Sequence, residues 1–461
     1  MRARKSFVFF VALVYTTPMH SMSSLRLVAL SILLSVSGIS RAADWPQWLG
    51  PNRDSIWRET DILDRFPTNG PPVRWRTAIG AGYSAPSVAN GRVYVTDRQR
   101  TSETSAGTNA SPHSLERVLC LNEADGKLLW HYDYDCPYSI SYSAGPRAAP
   151  LVNDGKVYTF GAEADLVCLN AQSGKLVWAL DFKKEFGITA PTWGFAGHPL
   201  LDGNRLICMA RGDGSTVVAL DKDTGKEVWR AVTAAEPGYS SPIILEAAGK
   251  RQLIVLEPEA VNSLDPQSGQ LYWSVPFTAR SGLTVATPRK LGDLLFVTSF
   301  YNGAMMLRLD SAQPKATSVW RTEKVSERET THLNAILCTP FLEDGYIYGV
   351  CSYGQLRCLK AATGERVWET FEATTSDGPV RWANAFLVKN GNRFFLFNEK
   401  GDLIIARLSP AGYEEISRAH LLEPTNKDCG RLVVWCHPAF ANRSCYVRND
   451  REIVCVNLAR R

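Results

Sequence analysis

The chain has 461 residues, 45% hydrophobic and 21% charged, with 51 basic against 46 acidic side chains and a formal net charge of +5. The first 42 residues hold Arg2, Arg4, Lys5, Arg26 and Arg41 and no acidic residue, so the excess lies entirely there and the remainder is balanced. A neutral remainder, with no basic stripe interleaved with aromatics, excludes a nucleic-acid surface as the main function.

Residues 1–42 read as a secretory signal peptide. They combine a basic start, an apolar stretch from Leu27 to Val36 and Ser40-Arg41-Ala42 before Ala43. A second apolar stretch runs from Phe7 to Val14, and Met22 opens a well-formed signal by itself, so both Met1 and Met22 stand as starts. The competing reading is an uncleaved anchor, but neither apolar run reaches the ~20 residues that a membrane span needs. Cleavage near Ala42 and a periplasmic or secreted product without a stable membrane span are expected. Residues 43–72 form a leader, with Asp44-Trp45-Pro46-Gln47-Trp48-Leu49-Gly50-Pro51 at its start. Its two tryptophans suit a structural strap or plug, with a ligand lid as the sharper alternative.

From residue 73 onward one phrase recurs. Leu169 to Trp178 reads Leu-Asn-Ala-Gln-Ser-Gly-Lys-Leu-Val-Trp, and its counterparts are Leu121 to Trp130, Leu220 to Trp229, Leu264 to Trp273 and Leu359 to Trp368. Spacings of roughly 45 to 50 residues belong to propeller or solenoid arrays. Each copy extends backward to a proline, namely Pro86, Pro150, Pro199, Pro242, Pro288, Pro340 or Pro438, with Ala385 in that slot in one further copy. A complete copy predicts four short antiparallel strands, A to D, with the proline on the inner edge strand, the glycine in the C to D turn and the tryptophan as a wedge between blades, and eight copies are counted. Two copies are degenerate: Ile416 fills the wedge slot in one, and Gln313-Pro314-Lys315 replaces the glycine turn in another. The copy from Trp435 ends without strand D, while Pro72-Val73-Arg74-Trp75-Arg76 is a strand D without a blade. The expected fold is all-β, an eight-bladed β-propeller over 73–461 whose ring is closed by the N-terminal strand.

Four of the eleven cysteines, Cys120, Cys168, Cys358 and Cys455, share one strand C slot, where Ala219 and Ser263 stand in other copies. A small buried side chain fits that slot better than a disulfide. Pairing among Cys429, Cys436 and Cys445 stays open. No covalent-haem, nucleophile-elbow, zinc-protease or phosphate-loop motif is present. Cys436-His437 matches no compact zinc pattern, and His437 and His198 occupy the same position just before a proline.

The Leu-Asn/Asp-x-x-x-Gly-Lys-x-x-Trp ending and Ser/Ala-Pro start, recurring in register over 73–461, resemble the pyrrolo-quinoline quinone (PQQ)-like β-propeller repeat family. The leader resembles the Trp-Pro-Gln-Trp-x-Gly-Pro segment found before such propellers in exported bacterial proteins. The resemblance implies one of two functions: a dehydrogenase using PQQ with calcium, or a non-catalytic propeller like the BamB-type factors of outer-membrane protein assembly. The chain lacks the adjacent cysteine pair of the first kind, and most copies are too short for its cofactor chamber. Its first cysteine is Cys120, so the lipid anchor usual in the second kind is not expected.

Propeller topology places the D to A and B to C connections on one face, where loops on a rigid scaffold carry function. From the first set come Tyr83, Ser84, Arg147, Trp193, His198, Tyr239, His332, Asn334, Arg381, Trp382, Trp435 and His437. The second set supplies Asp97, Arg98, Glu163, Arg211, Asp213, Glu257, Tyr301, Asn302, Tyr353 and Asn398. The eleven candidates for a ligand at the channel mouth are Arg147, Trp193, His198, Arg211, Tyr239, His332, Asn334, Arg381, Trp382, Trp435 and His437. The long insertion Arg98 to Glu116 reads as a mobile loop over this face. The expected protein is an exported monomeric scaffold that binds an envelope protein or a small molecule there. A PQQ-dependent alcohol or sugar oxidoreductase is the alternative.

Overall fold

The computed structural model describes residues 43–100, 114–323 and 326–460. The expected signal segment and most of the Arg98 to Glu116 insertion lie outside the described residues. Those described form eight four-stranded antiparallel sheets, each in the order A, B, C, D. Blade 1 comprises Ser87–Ala89, Arg92–Arg100, Ser114–Asn122 and Leu128–Asp135, and blade 2 comprises Leu151–Asn153, Lys156–Phe160, Asp165–Asn170 and Leu176–Asp181. Strands A of blades 3 to 7 are Leu200–Asp202, Ile243–Ala247, Arg289–Leu291, Phe341–Glu343 and Ala385–Asn390. Each repeated proline immediately precedes its strand A, where no ladder partner is needed for the missing N–H.

The ring closes as the sequence predicts. Blade 8 takes Ala439–Ala441, Ser444–Arg448 and Glu452–Asn457 from the C-terminal end, and its strand D is Val73–Ala78. Trp75 pairs with Cys455 in the register that puts Trp130 opposite Cys120 and Trp178 opposite Cys168. A register shift next to the wedge position, a tryptophan in seven blades, recurs between strands C and D of all eight, a bulge that adds twist to the outer edge.

Register also explains the cysteine slot. Tyr94, Cys120 and Trp130 lie side by side across strands B, C and D, as do Tyr158, Cys168 and Trp178, then Tyr348, Cys358 and Trp368, then Tyr446, Cys455 and Trp75. The Tyr and Trp ring centroids stand 6.0, 6.1, 6.2 and 6.0 Å apart in these four blades. Blade 5 fills the same slot with the longer, flexible Met306, between Phe296 and Trp320 with centroids 6.0 Å apart, so the slot takes a slender apolar side chain rather than strictly a small one. Every cysteine among the described residues is free, Cys429 is exposed, and the thiol of Cys436 donates to the Gly82 carbonyl at 3.3 Å, so the pairing left open above is not formed.

The glycine of each phrase serves the preceding blade. Gly126, Gly174, Gly225 and Gly269 have φ between 69° and 74°, and a Cβ on each meets Trp75, Trp130, Trp178 or Trp229 at 2.6 to 2.9 Å. The indole N–H of Trp75, Trp130, Trp178, Trp320 and Trp368 donates to a backbone carbonyl of the next blade at 2.8 to 3.1 Å. Trp273 faces the degenerate glycine-free blade and turns to Gln252 of its own blade instead. One expectation needs correction. Ser417, not Ile416, holds the wedge register in blade 7, because the bulge falls on Ile416. The Ser417 hydroxyl accepts the N–H of Phe66 at 2.9 Å, and buried Phe66 belongs to the apolar cluster joining blades 7, 8 and 1.

Candidate functional site

Eight inner strands leave unpaired backbone groups around the axis, and the leader satisfies many of them. Trp45 and Val88 of blade 1 exchange both backbone bonds, at 2.8 and 2.9 Å, and Val152 of blade 2 donates to Pro46. The Arg53 guanidinium reaches the carbonyls of Pro199 and Pro242 at 3.0 and 3.3 Å, at the start of blades 3 and 4. Arg289 of blade 5 donates to the carbonyls of Arg53 and Asp54. Ser55 and Trp57 bond to Lys389 of blade 7, and Arg443 of blade 8 donates to Glu59. The segment thus plugs the ring and carries Trp48 to the axis.

Trp48 closes the bottom of a cavity of about 190 Å³ at the D to A face. All eight D to A connections contribute to its wall: Tyr83, Tyr142 with Arg147, Trp193 with His198, Tyr239, Leu283 with Val285, Ile336 with Leu337, Trp382, and Trp435 with His437. The Trp48 ring stacks on His198 at 3.9 Å, meets His437 edge-on at 4.9 Å and donates its N–H to Thr287 at 3.1 Å. Above it, Tyr142 from between blades 1 and 2 reaches Trp382 and Trp435 at 6.1 and 6.4 Å, and these two tryptophans meet at 6.4 Å. Tyr142 and Trp382 hold φ of 55° and 63°, a costly conformation for bulky residues that marks a constrained site.

The chemistry of the wall is one-sided. Blades 4 to 7 present Leu283, Val285, Ile336, Leu337 and Phe386, whereas Tyr83, Arg147, His198, Ser241 and His437 gather on the other side. Both imidazoles are neutral. His198 Nδ1 accepts the Ala149 N–H at 2.9 Å, which leaves its proton on Nε2; burial, with Arg53 and His437 nearby, holds its pKa well below the usual value. His437 Nδ1 donates to the Pro438 carbonyl at 2.7 Å, and burial lowers its pKa to about 4. Burial raises the hydroxyls of Tyr83 and Tyr239 to about 12, so both remain protonated donors. Arg147 donates to the carbonyls of Trp193, Ser141 and Tyr142 at 3.0, 3.0 and 2.7 Å and to that of Gly145, and lies over the Tyr83 ring at 5.2 Å.

Seven of the eleven candidates meet in this cavity: Arg147, Trp193, His198, Tyr239, Trp382, Trp435 and His437. Four do not line it. His332 stacks on Trp320 at 5.0 Å against Gly364, between blades. Asn334 is buried and donates to the Phe300 carbonyl. Arg381 pairs with Glu327 at 2.7 Å, behind the Trp382 ring, and Arg211 binds Glu236 and the Ala235 carbonyl. The B to C residues stay off the wall because that connection starts one strand outward from the axis. They brace the inner loops instead: Arg98 holds the Ser143 carbonyl, Glu163 accepts from Ser139, and Tyr353 donates to Glu327. Sequence reasoning missed Trp48 as a floor, Tyr142, and the aliphatic half. A signal for the floor existed in the slot before each proline, where His198, Ser241, Thr287 and His437 surround Trp48 or line the cavity.

The family model described as outer membrane protein assembly factor BamB matches residues 114–370. The chain belongs to this family. A curated member, the outer membrane protein assembly factor BamB of Yersinia pestis, is 21% identical over 238 residues, which span 41% of this chain and 60% of that protein. The chain therefore matches less than two thirds of that relative's length. Among solved structures, BamB from Moraxella catarrhalis aligns with a TM-score of 0.52 at 15% identity, covering 83% of this chain and 97% of its own. The quinohemoprotein alcohol dehydrogenase ADHIIG from Pseudomonas putida aligns with a TM-score of 0.58 at 12% identity, covering 91% and 81%. At such identities these two likenesses show the propeller fold alone.

The donor set at the mouth tests whether this chain's residues fit a quinone with calcium. Calcium takes six to eight oxygen ligands, chiefly carboxylates and amide carbonyls. The cavity wall contains no Asp, Glu, Asn or Gln, and among the described residues no cluster of three or more His, Cys, Asp or Glu is placed to hold a metal. These residues do not fit PQQ with calcium.

Proposed function

We propose that this protein is a non-catalytic binding scaffold of the cell envelope, exported there by its N-terminal segment, and that it recognises a partner at the mouth of the ring. The carrying observation is the composition of that mouth: four tryptophans, three tyrosines and one arginine around a single recess, with no acid among them. Aromatic residues and Arg dominate the centres of recognition sites, where acids and Lys are depleted. Membership of the assembly-factor family supports the same reading, and no helix among the described residues is long and apolar enough to cross a membrane.

Two experiments test it. Affinity capture from envelope fractions should recover a partner with the wild-type chain and lose it with Trp435→Ala; the same partners from both overturn the mouth as the recognition site. Reconstitution with PQQ and calcium should yield no dye-linked alcohol or sugar oxidation. Turnover in that assay overturns the non-catalytic reading.

A further inference from the structure

The mouth has an unmet electrostatic demand. Arg147 has no ion pair among the described residues, and its hydrogen bonds go to four backbone carbonyls. A guanidinium carries five N–H donors; with one bond through Nε, one through Nη1 and two through Nη2, an Nη1 donor remains. No carboxylate lines the cavity, and the Arg381 charge is already matched by Glu327. Buried Glu116 and Glu163 act on Arg147 without pairing with it or lining the cavity, so a ligand carrying one negative charge can take the free donor, whereas a cation in the cavity meets no acid among the described residues of its wall.

Shape narrows the class further. A cavity of ~150 Å³ lined by apolar side chains accommodates benzene, and this one measures about 190 Å³. It therefore suits one aromatic ring with a short acidic arm. Trp48 below, Tyr142, Trp382 and Trp435 above, and Leu283 and Ile336 to one side give such a ring flat and aliphatic contacts. A polycarboxylate of several fused rings is too large and too highly charged for the same space.

We propose that the mouth binds a small aromatic monocarboxylate, with its carboxylate on Arg147 and its ring between Trp48 and the Tyr142, Trp382 and Trp435 rings. This inference rests on the reading of the mouth as a recognition site and names the chemistry of its occupant. Titration calorimetry of the full chain with phenylacetate, its neutral isostere phenylacetamide and the cation phenethylamine tests it. Phenylacetate should bind about tenfold or more tighter than the amide, in line with a charge-assisted hydrogen bond, and phenethylamine should bind weakest. Arg147→Met should erase the preference for the acid while leaving amide binding in place. Should that variant fail to fold, Arg147→Lys keeps the charge without the fork and should retain part of the preference. Equal affinity for acid and amide, or tightest binding of the amine, overturns the proposal while leaving the mouth a recognition site. Binding of none of the three at millimolar concentration overturns the proposal, whereas the scaffold reading is judged separately by partner capture.

Discussion

Two glycines separate backbone strain from packing at the scale of single residues. Gly155 and Gly174 both have φ near 70°, at 71° and 69°, but a Cβ on Gly155 meets nothing within 4 Å while one on Gly174 strikes the Trp130 ring at 2.6 Å. Gly155→Ala should therefore cost about 1 kcal/mol from the left-handed conformation alone. Gly174→Ala should cost about 2 to 4 kcal/mol, since overpacking adds to the strain; urea denaturation of the pair reads the difference. The turn glycine was legible in the sequence, but its contact with the preceding blade was not, because a repeat aligned with itself says nothing about its neighbour. The strand C cysteines were legible as small residues for the same reason, and only register revealed the Tyr and Trp rings closing over them. His437 gives a pH signature at this scale. Its pKa is lowered from 6.5 to about 4 by burial, so the unfolded chain binds a proton that the folded chain refuses. Stability is full above pH 6.5 and falls as pH drops toward 4, by up to about 3 kcal/mol. His198 acts in the same direction. The urea midpoint measured between pH 7 and 4.5 should decline less steeply in His437→Gln.

Among the elements, the leader carries the most consequence for the site, and its hold depends on a buried charge. Arg53 is 9% exposed, bonds only to carbonyls among blades 3 and 4 and to Gln47, and burial lowers its pKa to about 9. The guanidinium is favoured there because several inner strands begin with carbonyls aimed at the axis and lack donors. Arg53→Ala strips those carbonyls of partners and should cost about 2 to 4 kcal/mol. It should also free Trp48, read as faster hydrogen exchange over residues 45–57 and weaker binding of any ligand at the mouth. Unchanged exchange in that segment refutes the anchoring role. The sequence announced a strap or plug through Trp45 and Trp48 and left its path open, since no periodicity governs residues 43–72. The D to A loops were legible as neighbours of the axis because topology fixes their face, and all eight line the cavity. The B to C residues do not line that cavity because a shared face is not a shared radius: their connection starts about 4.8 Å farther out than the inner strand.

For the whole molecule, stability depends on a circle rather than on separate blades. Each blade leaves an apolar face that only its neighbour covers, so the blade formed from both ends of the chain is the step at which all eight interfaces become simultaneous. Val73–Ala78 supplies that step through five paired positions with Glu452–Asn457, through the Trp75 N–H on Glu123 and the Thr77 hydroxyl on Gly126. Removal of this strand leaves the buried edge of Val454, Cys455 and Val456 without a partner and empties the Gly126 seat on blade 1. An open edge of that kind recruits another chain. Two truncations separate closure from plugging. A chain starting at residue 67 keeps the closing strand and should remain monomeric with a lowered melting temperature, whereas one starting at residue 79 should elute as oligomers and lose its single cooperative transition. Trp75→Ala should fall between them, with a loss of about 3 to 5 kcal/mol. A peptide spanning residues 72–79, added to the longer truncation, should restore the monomer if the strand acts by completing blade 8. Monomeric behaviour of that truncation without the peptide contradicts the closure mechanism, because the blade 8 edge and the seat on blade 1 are then covered by something other than Val73–Ala78.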